Sequence, residues 1–234
     1  MEYELSAGTL AALREHLSKS TSEQLEPEHE SNITSSKIIP NYASKSYWNE
    51  RFEKEESYEW LLSYAQIRQH IQSYIVSFRS PRILVVGCGN SNFSLELYED
   101  VQTADIVNID FSDVVIERMK LVSALRAPNM KWVVMDMLNI DFAAECFDVV
   151  IDKATMDALF TAQTDVWSPN LELIEKCCKM CAGISKVLRP GGVFIQISFA
   201  QPHFRTKFLM NFWKFQSESN PLCSFNVMYL ITHL

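Results

Sequence analysis

Residues 82–110 read RILVVGCGNSNFSLELYEDVQTADIVNID, and this segment contains the clearest structural signal in the chain. Its first five residues, Arg82–Val86, are a short apolar run of the kind that forms a buried parallel strand. A glycine-rich turn follows, then an amphipathic segment that predicts a helix over Ser91–Tyr98, and then a second strand over Ala104–Asp110. This order predicts two parallel strands joined by a right-handed crossover.

The same alternation continues on both sides of that segment. Further strands are predicted at Lys131–Asp136, Phe147–Asp152 and Gly192–Phe199, and helices at Ser57–Phe78, Ser112–Leu125 and Leu171–Leu188. The last helix ends at Arg189-Pro190-Gly191-Gly192, a sequence that we expect to interrupt helices and strands alike.

The C-terminal part has a different pattern. Phe212–Glu218 and Phe225–Thr232 are predicted to form a hairpin, because the connection between them is too short for a helical crossover. The chain is therefore predicted to be an α/β protein with a doubly wound, Rossmann-like sheet. We expect seven strands, five parallel and then a terminal antiparallel hairpin, with helices on both faces.

Composition separates the first 40 residues from the rest. Residues 1–40 are rich in Ser, Thr and Glu and have no aromatic residue between Tyr3 and Tyr42, so we predict a mobile polar tail. Residues 41–234 are predicted to form one domain.

Charge and apolar content exclude several classes of protein. A net charge of −8 argues against nucleic-acid and membrane-surface partners, and no apolar run is long enough to span a bilayer. The N-terminus lacks the features of signal and transit peptides, and the six scattered cysteines are typical of free thiols. We therefore predict a cytoplasmic protein.

The turn Gly87–Ser91 carries the first functional signal. Its glycines let a ligand approach the backbone, and a tight structural turn is the alternative explanation when they are taken alone. Asp110 ends the second strand, where a carboxylate can accept hydrogen bonds from ribose hydroxyls. Glycine turn and aspartate together indicate a nucleoside.

Two further residues indicate which nucleoside. Asn92 stands where a dinucleotide-binding turn has its third glycine, which weakens the case for a pyrophosphate. Asp136 ends the third predicted strand, and the carboxyl ends of neighbouring parallel strands line one crevice. Two carboxylates suit S-adenosylmethionine, which carries a sulfonium and an ammonium but no phosphate.

Six motifs resemble the class I, seven-strand methyltransferases that depend on S-adenosylmethionine. They are YWNERF (Tyr47–Phe52), ILVVGCGNS (Ile83–Ser91), DFS (Asp110–Ser112), FDVVIDKATMDAL (Phe147–Leu159), VLRPGG (Val187–Gly192) and PHFR (Pro202–Arg205). The set is similar to the methyltransferase-like group of protein lysine methyltransferases, and within it to the elongation factor 1-alpha lysine methyltransferases of type 4. The similarity covers about residues 42–234.

The resemblance implies that nine residues bind S-adenosylmethionine, and it names no catalytic residue. Trp48, Phe52 and Trp60 would form apolar walls around the cofactor, and Gly87 is the glycine of the first loop. Asp110 and Phe111 would hold the ribose and adenine, and Asp136 and Met137 would lie against the adenine. Lys153 would reach the site from the fourth strand.

Three positions depart from the family pattern. Phe52 replaces a usual tyrosine, Ala154 replaces a usual glycine, and Val85 stands where most class I enzymes carry an acid, a loss that this subgroup shares. Ala154 bears on the backbone, because a residue with a Cβ is strained at positive φ.

Some of these residues also have purely structural explanations. Trp48 and Phe52, spaced i and i+4, could fix an N-terminal helix onto the sheet, and Lys153 could pair with Asp152 at the surface. Cys177, Cys178 and Cys181 contain a CxxC spacing, but no second Cys or His pair lies near them in sequence. They indicate helix packing, and we expect no metal.

The reaction that follows is transfer of a methyl group to a lysine ε-amine, which leaves S-adenosylhomocysteine. It requires alignment and exclusion of water, and an aromatic channel favours the neutral amine. We predict the channel mouth at Asp152–Leu159, at Ser198–Arg205 and at the N-terminal aromatic residues.

The resemblance implies elongation factor 1-alpha as the protein substrate, and we expect a monomer. Two alternatives stay open. One is a methyltransferase of the same fold that acts on another protein or on a small amine, and the other is a non-catalytic scaffold with or without bound cofactor.

Overall fold

The computed structural model describes residues 40–161, 169–201, 204–205 and 226–231. Its helices are α1 (Lys45–Lys54), α2 (Tyr64–Val76), α3 (Phe93–Asp100), α4 (Asp113–Ser123), α5 (Thr155–Phe160) and α6 (Leu171–Val187). Its strands are β1 (Arg82–Val86), β2 (Asp105–Asp110), β3 (Lys131–Val134), β4 (Phe147–Lys153), β5 (Leu188–Ser198) and β6 (Asn226–Ile231). Residues 1–39 of the predicted tail and the predicted strand Phe212–Glu218 lie outside the described residues.

The described strands form one sheet in the order β3-β2-β1-β4-β5-β6. Every neighbouring pair is parallel, and Val85 of β1 pairs with Asn108 of β2 on one side and with Ile151 of β4 on the other. The chain order reverses at β1, which confirms the predicted doubly wound sheet. The carboxyl ends of β1, β2 and β4 therefore meet at the point where such sheets bind ligands.

Apolar side chains cover both faces of the sheet, because successive residues of a strand point in opposite directions. On one face, Ile83 and Val149 belong to a core cluster with residues of α2 and α3. On the other face, Leu84 and Val150 are fully buried, and α5 and α6 contact β4 and β5. The predicted covering of both faces by helices is thus confirmed. Among the described helices, none has the length and apolar character that crossing a bilayer requires.

The predicted terminal antiparallel hairpin is not confirmed, because its predicted first strand, Phe212–Glu218, lies outside the described residues. A strand is present at Asn226–Ile231, within the predicted Phe225–Thr232, but it pairs parallel with β5, with Ile195 opposite Met228. A parallel pair needs a crossover of a dozen residues or more, and residues 199–225 are long enough to provide one. The hairpin was predicted from the short connection between Phe212–Glu218 and Phe225–Thr232, which carries no information about pairing with β5.

The segment Arg189–Gly192 also differs from its prediction. It ends α6, as expected, but it lies inside β5 and does not precede it. The register between β4 and β5 shifts between the pairs Phe147–Leu188 and Val149–Val193, and Gly191 has a φ of +77°. The strand therefore accommodates the proline and glycines as a bulge, where a missing N–H and a positive φ are tolerated.

Candidate active site

A cavity of about 590 Å³ lies at the carboxyl ends of β1, β2 and β4. All nine residues that the sequence assigns to the site line it: Trp48, Phe52, Trp60, Gly87, Asp110, Phe111, Asp136, Met137 and Lys153. The structure therefore brings the predicted set together on one concave surface. Its binding of a cofactor stays a prediction.

Two glycines shape the turn after β1. Gly87 and Gly89 have φ values of +60° and +53°, in the left-handed region that favours glycine. A Cβ on Gly87 would lie 2.2 Å from Cγ2 of Thr155, whereas a Cβ on Gly89 would meet nothing closer than the Phe52 ring at 3.7 Å. The hydroxyl of Thr155 donates to the carbonyls of Val86 and Gly87 at 2.9 and 3.2 Å. Gly87 is thus required by packing, and Gly89 by backbone conformation.

Asp110 places a buried carboxylate beside this turn. One of its oxygens accepts the N–H of Gly89 at 3.0 Å, and the other accepts the N–H of Ser112 at 2.9 Å. Burial raises the pKa of Asp110 to about 6, and the two hydrogen bonds act in the opposite direction. Each carboxylate oxygen can accept more than one hydrogen bond, so capacity for ligand hydroxyls remains.

Asp136 lies in the loop after β3, because that strand ends at Val134 and not at Asp136 as predicted. Its carboxylate is exposed and accepts the N–H of Leu138 at 2.9 Å. The loop is tied to the neighbouring strand, since the N–H of Met135 donates to the carbonyl of Asp110 at 2.9 Å. Both predicted acids therefore line the cavity, one buried and one open to solvent.

Five aromatic residues form one side of the cavity, and we call them the aromatic wall: Tyr42, Trp48, Phe52, Tyr58 and Trp60. Trp48 and Phe52 stack at 5.3 Å between ring centroids, and the Trp48 indole N–H donates to the carbonyl of Tyr42 at 2.7 Å. Phe52 is also part of the core cluster. These residues thus fix α1 to the sheet and line the cavity at the same time, so the two explanations offered by the sequence do not exclude each other.

Arg51, which the sequence did not single out, supports the aromatic wall without lining the cavity. Its guanidinium carbon lies 4.9 Å from the Trp60 ring centroid and 5.0 Å from that of Tyr58. It also makes a forked ion pair with Glu55 at 2.9 and 3.0 Å. The hydrogen bond to Glu55 raises the pKa of Arg51 further above its ordinary range, so the cation is permanent.

Lys153 pairs with Glu59 and not with Asp152, so its interpretation as a surface lysine is wrong. Its ammonium donates to the Glu59 carboxylate and, at 2.8 Å, to the carbonyl of Trp60. The Lys153 side chain is 7 % exposed, and burial lowers its pKa while Glu59 raises it. Glu59 also accepts the Ser91 hydroxyl at 2.9 Å. Sequence reasoning missed Glu59, which lies in an irregular segment.

Asp152, near the end of β4, binds protein groups and does not face the cavity. Asp152 accepts the N–H groups of Thr155 and Met156 at 2.9 and 3.3 Å and the amide of Gln196 at 3.0 Å. It is outside the cavity lining, and burial raises its pKa to about 6. Ala154 has a φ of +66°, so the strain expected at this position is present.

A buried ion pair lies beyond that turn. The Arg205 guanidinium donates to one Asp157 oxygen at 2.9 and 3.1 Å, and the Ser198 hydroxyl donates to the same oxygen at 2.7 Å. The guanidinium also stacks on Phe160 at 3.6 Å from the ring centroid. Because Asp157, Ala158, Leu159 and Phe199 line the cavity, it extends to the predicted channel mouth.

The cysteines of α6 are buried in the helix packing. Burial raises the pKa of Cys177 to about 12 and that of Cys178 to about 11, so both are protonated thiols. In the ranges that the structure describes, no group of three or more His, Cys, Asp or Glu side chains is arranged to hold a metal ion.

Comparison with known proteins identifies the family. The methyltransferase domain family matches residues 79–225. The eEF1A lysine and N-terminal methyltransferase of Mus musculus is 36 % identical over 178 residues, which are 75 % of this chain and 24 % of that protein. Its homolog from Drosophila melanogaster is 36 % identical over 178 residues, 75 % of this chain and 25 % of that protein. EEF1A lysine methyltransferase 4 of Mus musculus is 33 % identical over 169 residues, 71 % of this chain and 65 % of that protein.

The chain thus spans about a quarter of the length of the first two relatives. These matches confirm the resemblance to methyltransferases that the motifs indicate. Because the family match covers more than half of the chain, the protein belongs to the methyltransferase domain family.

Proposed function

We propose that the chain is an S-adenosylmethionine-dependent protein-lysine methyltransferase whose substrate is elongation factor 1-alpha. The names of three relatives support the substrate, since each refers to methylation of eEF1A. We further propose that residues 41–234 are the catalytic domain and that it works as a monomer in the cytoplasm.

One observation carries the cofactor assignment. The Asp110 carboxylate lies at the carboxyl end of β2, accepts the N–H of Gly89 from the turn after β1, and lines the cavity. This juxtaposition of a glycine turn and an acid is what a ribose-binding site requires in a doubly wound sheet.

The remaining residues of the cavity fit S-adenosylmethionine. Asp136 and Met137 lie at the end of the sheet where the adenine would be held, and the aromatic wall offers surfaces for apolar and cationic parts of a ligand. Lys153 and Glu59 offer one positive and one negative charge for the amino-acid end. When bound, the cofactor would supply an electrophilic methyl group on a sulfonium.

The chain's own residues contribute orientation and exclusion of water. The aromatic wall presents apolar ring surface to the cavity, and a lysine amine that enters such a space loses hydration and favours its neutral form. Lys153 shows the same effect, because burial lowers its pKa. No residue is assigned as a general base, since alignment and desolvation satisfy the chemistry.

The acceptor lysine would enter between α5 and the aromatic wall. Ala158, Leu159 and Phe199 present apolar surface there, and Phe199 is half exposed. Asp157 also lines the cavity, and its buried contacts with Arg205 and Ser198 link α5 to the end of β5. Backbone and side chains at the mouth are thereby held in one arrangement for a protein substrate.

A methyl-transfer assay tests the proposal. The full chain is incubated with S-adenosylmethionine labelled in its methyl group and with elongation factor 1-alpha made in bacteria. The labelled product is then mapped by mass spectrometry. We expect label on a lysine of that protein, and we expect Asp110→Ala to abolish it.

Asp105→Asn is the matched control, because Asp105 lies on the same strand, pairs with Lys131 and is outside the cavity lining. This variant should keep wild-type activity. Label found only on RNA or on a small molecule, or failure of the wild-type chain to bind S-adenosylmethionine in calorimetry, would overturn the proposal.

A further inference from the structure

Glu59 and Lys153 form an ion pair that presents one negative and one positive group to the cavity. We propose that it opens when the cofactor binds, so that the Glu59 carboxylate takes the α-ammonium and the Lys153 ammonium takes the α-carboxylate. This assignment of Glu59 rests on the proposed function and deepens it.

Both members of the pair face the same cavity. Glu59 and Lys153 line it together with the glycine turn, and Ser91, next to that turn, donates its hydroxyl to both Glu59 oxygens at 2.9 Å. Glu59 is thus held beside the turn by a neutral donor as well as by the lysine. It keeps its position when Lys153 changes partner.

Charge balance favours exchange of partners over simple addition of a ligand. The Lys153 side chain is 7 % exposed and the Glu59 side chain 29 %, so separating the two charges without replacement would leave an ammonium buried alone. An amino-acid group inserted head to tail gives each charge a new opposite partner. The site remains neutral before and after binding.

The other acids of the cavity are committed elsewhere. Asp110 ends β2 and accepts the N–H of Gly89, Asp136 lies in the loop after β3 and accepts the N–H of Leu138, and Asp157 is neutralised by Arg205. Val85 of β1, two residues before the glycine turn, supplies no carboxylate to the cavity. Among the described acids that line the cavity, Glu59 is the one whose cationic partner also lines it.

A simpler explanation is that Glu59 only positions Lys153. Three ligands separate the two possibilities by calorimetry with the full chain: S-adenosylmethionine, its decarboxylated form, which keeps the ammonium, and 5′-methylthioadenosine, which has neither group. Each variant is compared with wild type for the same ligand, so the ligands need not bind equally well.

We expect Glu59→Gln to weaken S-adenosylmethionine and its decarboxylated form about tenfold or more, with 5′-methylthioadenosine unchanged within about twofold. Lys153→Met should weaken S-adenosylmethionine about tenfold and leave the decarboxylated form unchanged. Glu96→Gln is the control, because Glu96 acts on Lys153 through its charge but does not line the cavity.

Three results would overturn the assignment. Decarboxylated S-adenosylmethionine unaffected by Glu59→Gln would reduce Glu59 to a positioning residue. Equal losses for 5′-methylthioadenosine would indicate general damage to the cavity, and full affinity of Glu59→Gln for all three ligands would remove the residue from the site. Failure of wild type to bind any of the three ligands contradicts the proposed function instead, so the two failures are distinguishable.

Discussion

The turns after β1 and β4 lie side by side and share a left-handed backbone conformation, but they differ in residue type. Gly87 and Gly89 adopt it after β1 without a Cβ, whereas Ala154 adopts it after β4 with one. Thr155 joins the two turns, because its hydroxyl donates to the carbonyls of Val86 and Gly87. Both turns line the cavity, and the Thr155 hydroxyl links the second turn to the backbone of the first.

The aspartates of the two turns show the same difference. Asp110 is the last residue of β2 and Asp152 is the last but one of β4. Both are buried, and burial raises the pKa of each to about 6. Asp110 lines the cavity, whereas Asp152 directs its oxygens to the N–H groups that begin α5 and to Gln196. Burial and a raised pKa therefore do not distinguish the two aspartates. They differ in whether the carboxylate lines the cavity.

Gly87→Ala would break the contact between the turns and should have the largest effect. The new Cβ would lie 2.2 Å from the Thr155 side chain at a φ of +60°. We expect a loss of about 4 kcal/mol in the free energy of unfolding, from overpacking, backbone strain and lost hydrogen bonds. Urea unfolding measures it.

Gly89→Ala is the comparison, since its Cβ has space and only the backbone is strained. It should cost about 1 kcal/mol. Equal losses of unfolding free energy in the two variants would show that the contact with Thr155 adds nothing to the cost of a side chain at Gly87.

Removing each aspartate should separate binding from folding. Asp110→Ala should weaken S-adenosylmethionine about 100-fold, because in the proposed assignment this carboxylate accepts hydrogen bonds from two ribose hydroxyls. Asp152→Ala should lower the free energy of unfolding by about 2 kcal/mol, because the first N–H groups of α5 lose their acceptor. Calorimetry measures cofactor binding and urea unfolding measures stability for both variants. Equal losses of S-adenosylmethionine affinity in Asp152→Ala and Asp110→Ala would contradict this separation of roles.

Lowering the pH should move stability and affinity in opposite directions. A carboxyl whose pKa is raised above its unfolded value of 3.8 adds stability below that value, and this stability is lost as pH rises through about 6. Between pH 7 and 5, Asp152 should therefore add about 1 kcal/mol of stability. Over the same range, protonation of Asp110 should weaken S-adenosylmethionine about tenfold.

Variants that cannot titrate provide the controls for this pH series. Asp152→Asn should reduce the pH dependence of unfolding, and Asp110→Asn should reduce that of binding. An unchanged slope in either variant would assign the titration to another group.

Ala154→Gly should have the smallest effect and the opposite sign. Relief of the left-handed strain outweighs the greater freedom of glycine in the unfolded chain, so we expect a gain of about 0.5 kcal/mol. Thermal unfolding measures it. The same change at Ala158, which lies inside α5, should destabilise and serves as the control.

Sequence reasoning predicted the sheet well because its strands are continuous apolar runs. Arg82–Val86 matches β1 to the residue, and the helix predicted from Ser112 begins there, with the Ser112 hydroxyl capping α4 by accepting the N–H of Val115 at 3.3 Å. The helix predicted over Ser57–Phe78 begins only at Tyr64, because its first part forms the irregular segment that contains Trp60. Periodicity detects repeated apolar spacing and cannot detect such a segment.

The site was predicted less completely, for a related reason. Motif positions such as Asp110 and Lys153 are recognisable one by one, but their partners are set by long-range packing. Glu59 meets Lys153 from 94 residues away, and Arg205 meets Asp157 from 48 residues away. The direction of the last strand likewise depends on a distant neighbour, β5, which local loop length does not specify.

The contact between Gly87 and Thr155 has a consequence for anyone who transplants this loop. The space that a side chain would fill at Gly87 is occupied by a residue almost 70 positions later, whose hydroxyl holds the backbone on both sides of the missing Cβ. A graft of the first loop alone would lose the Thr155 side chain that packs against Gly87 and hydrogen-bonds to its backbone. Engineered chimaeras should therefore exchange positions 87 and 155 as a unit.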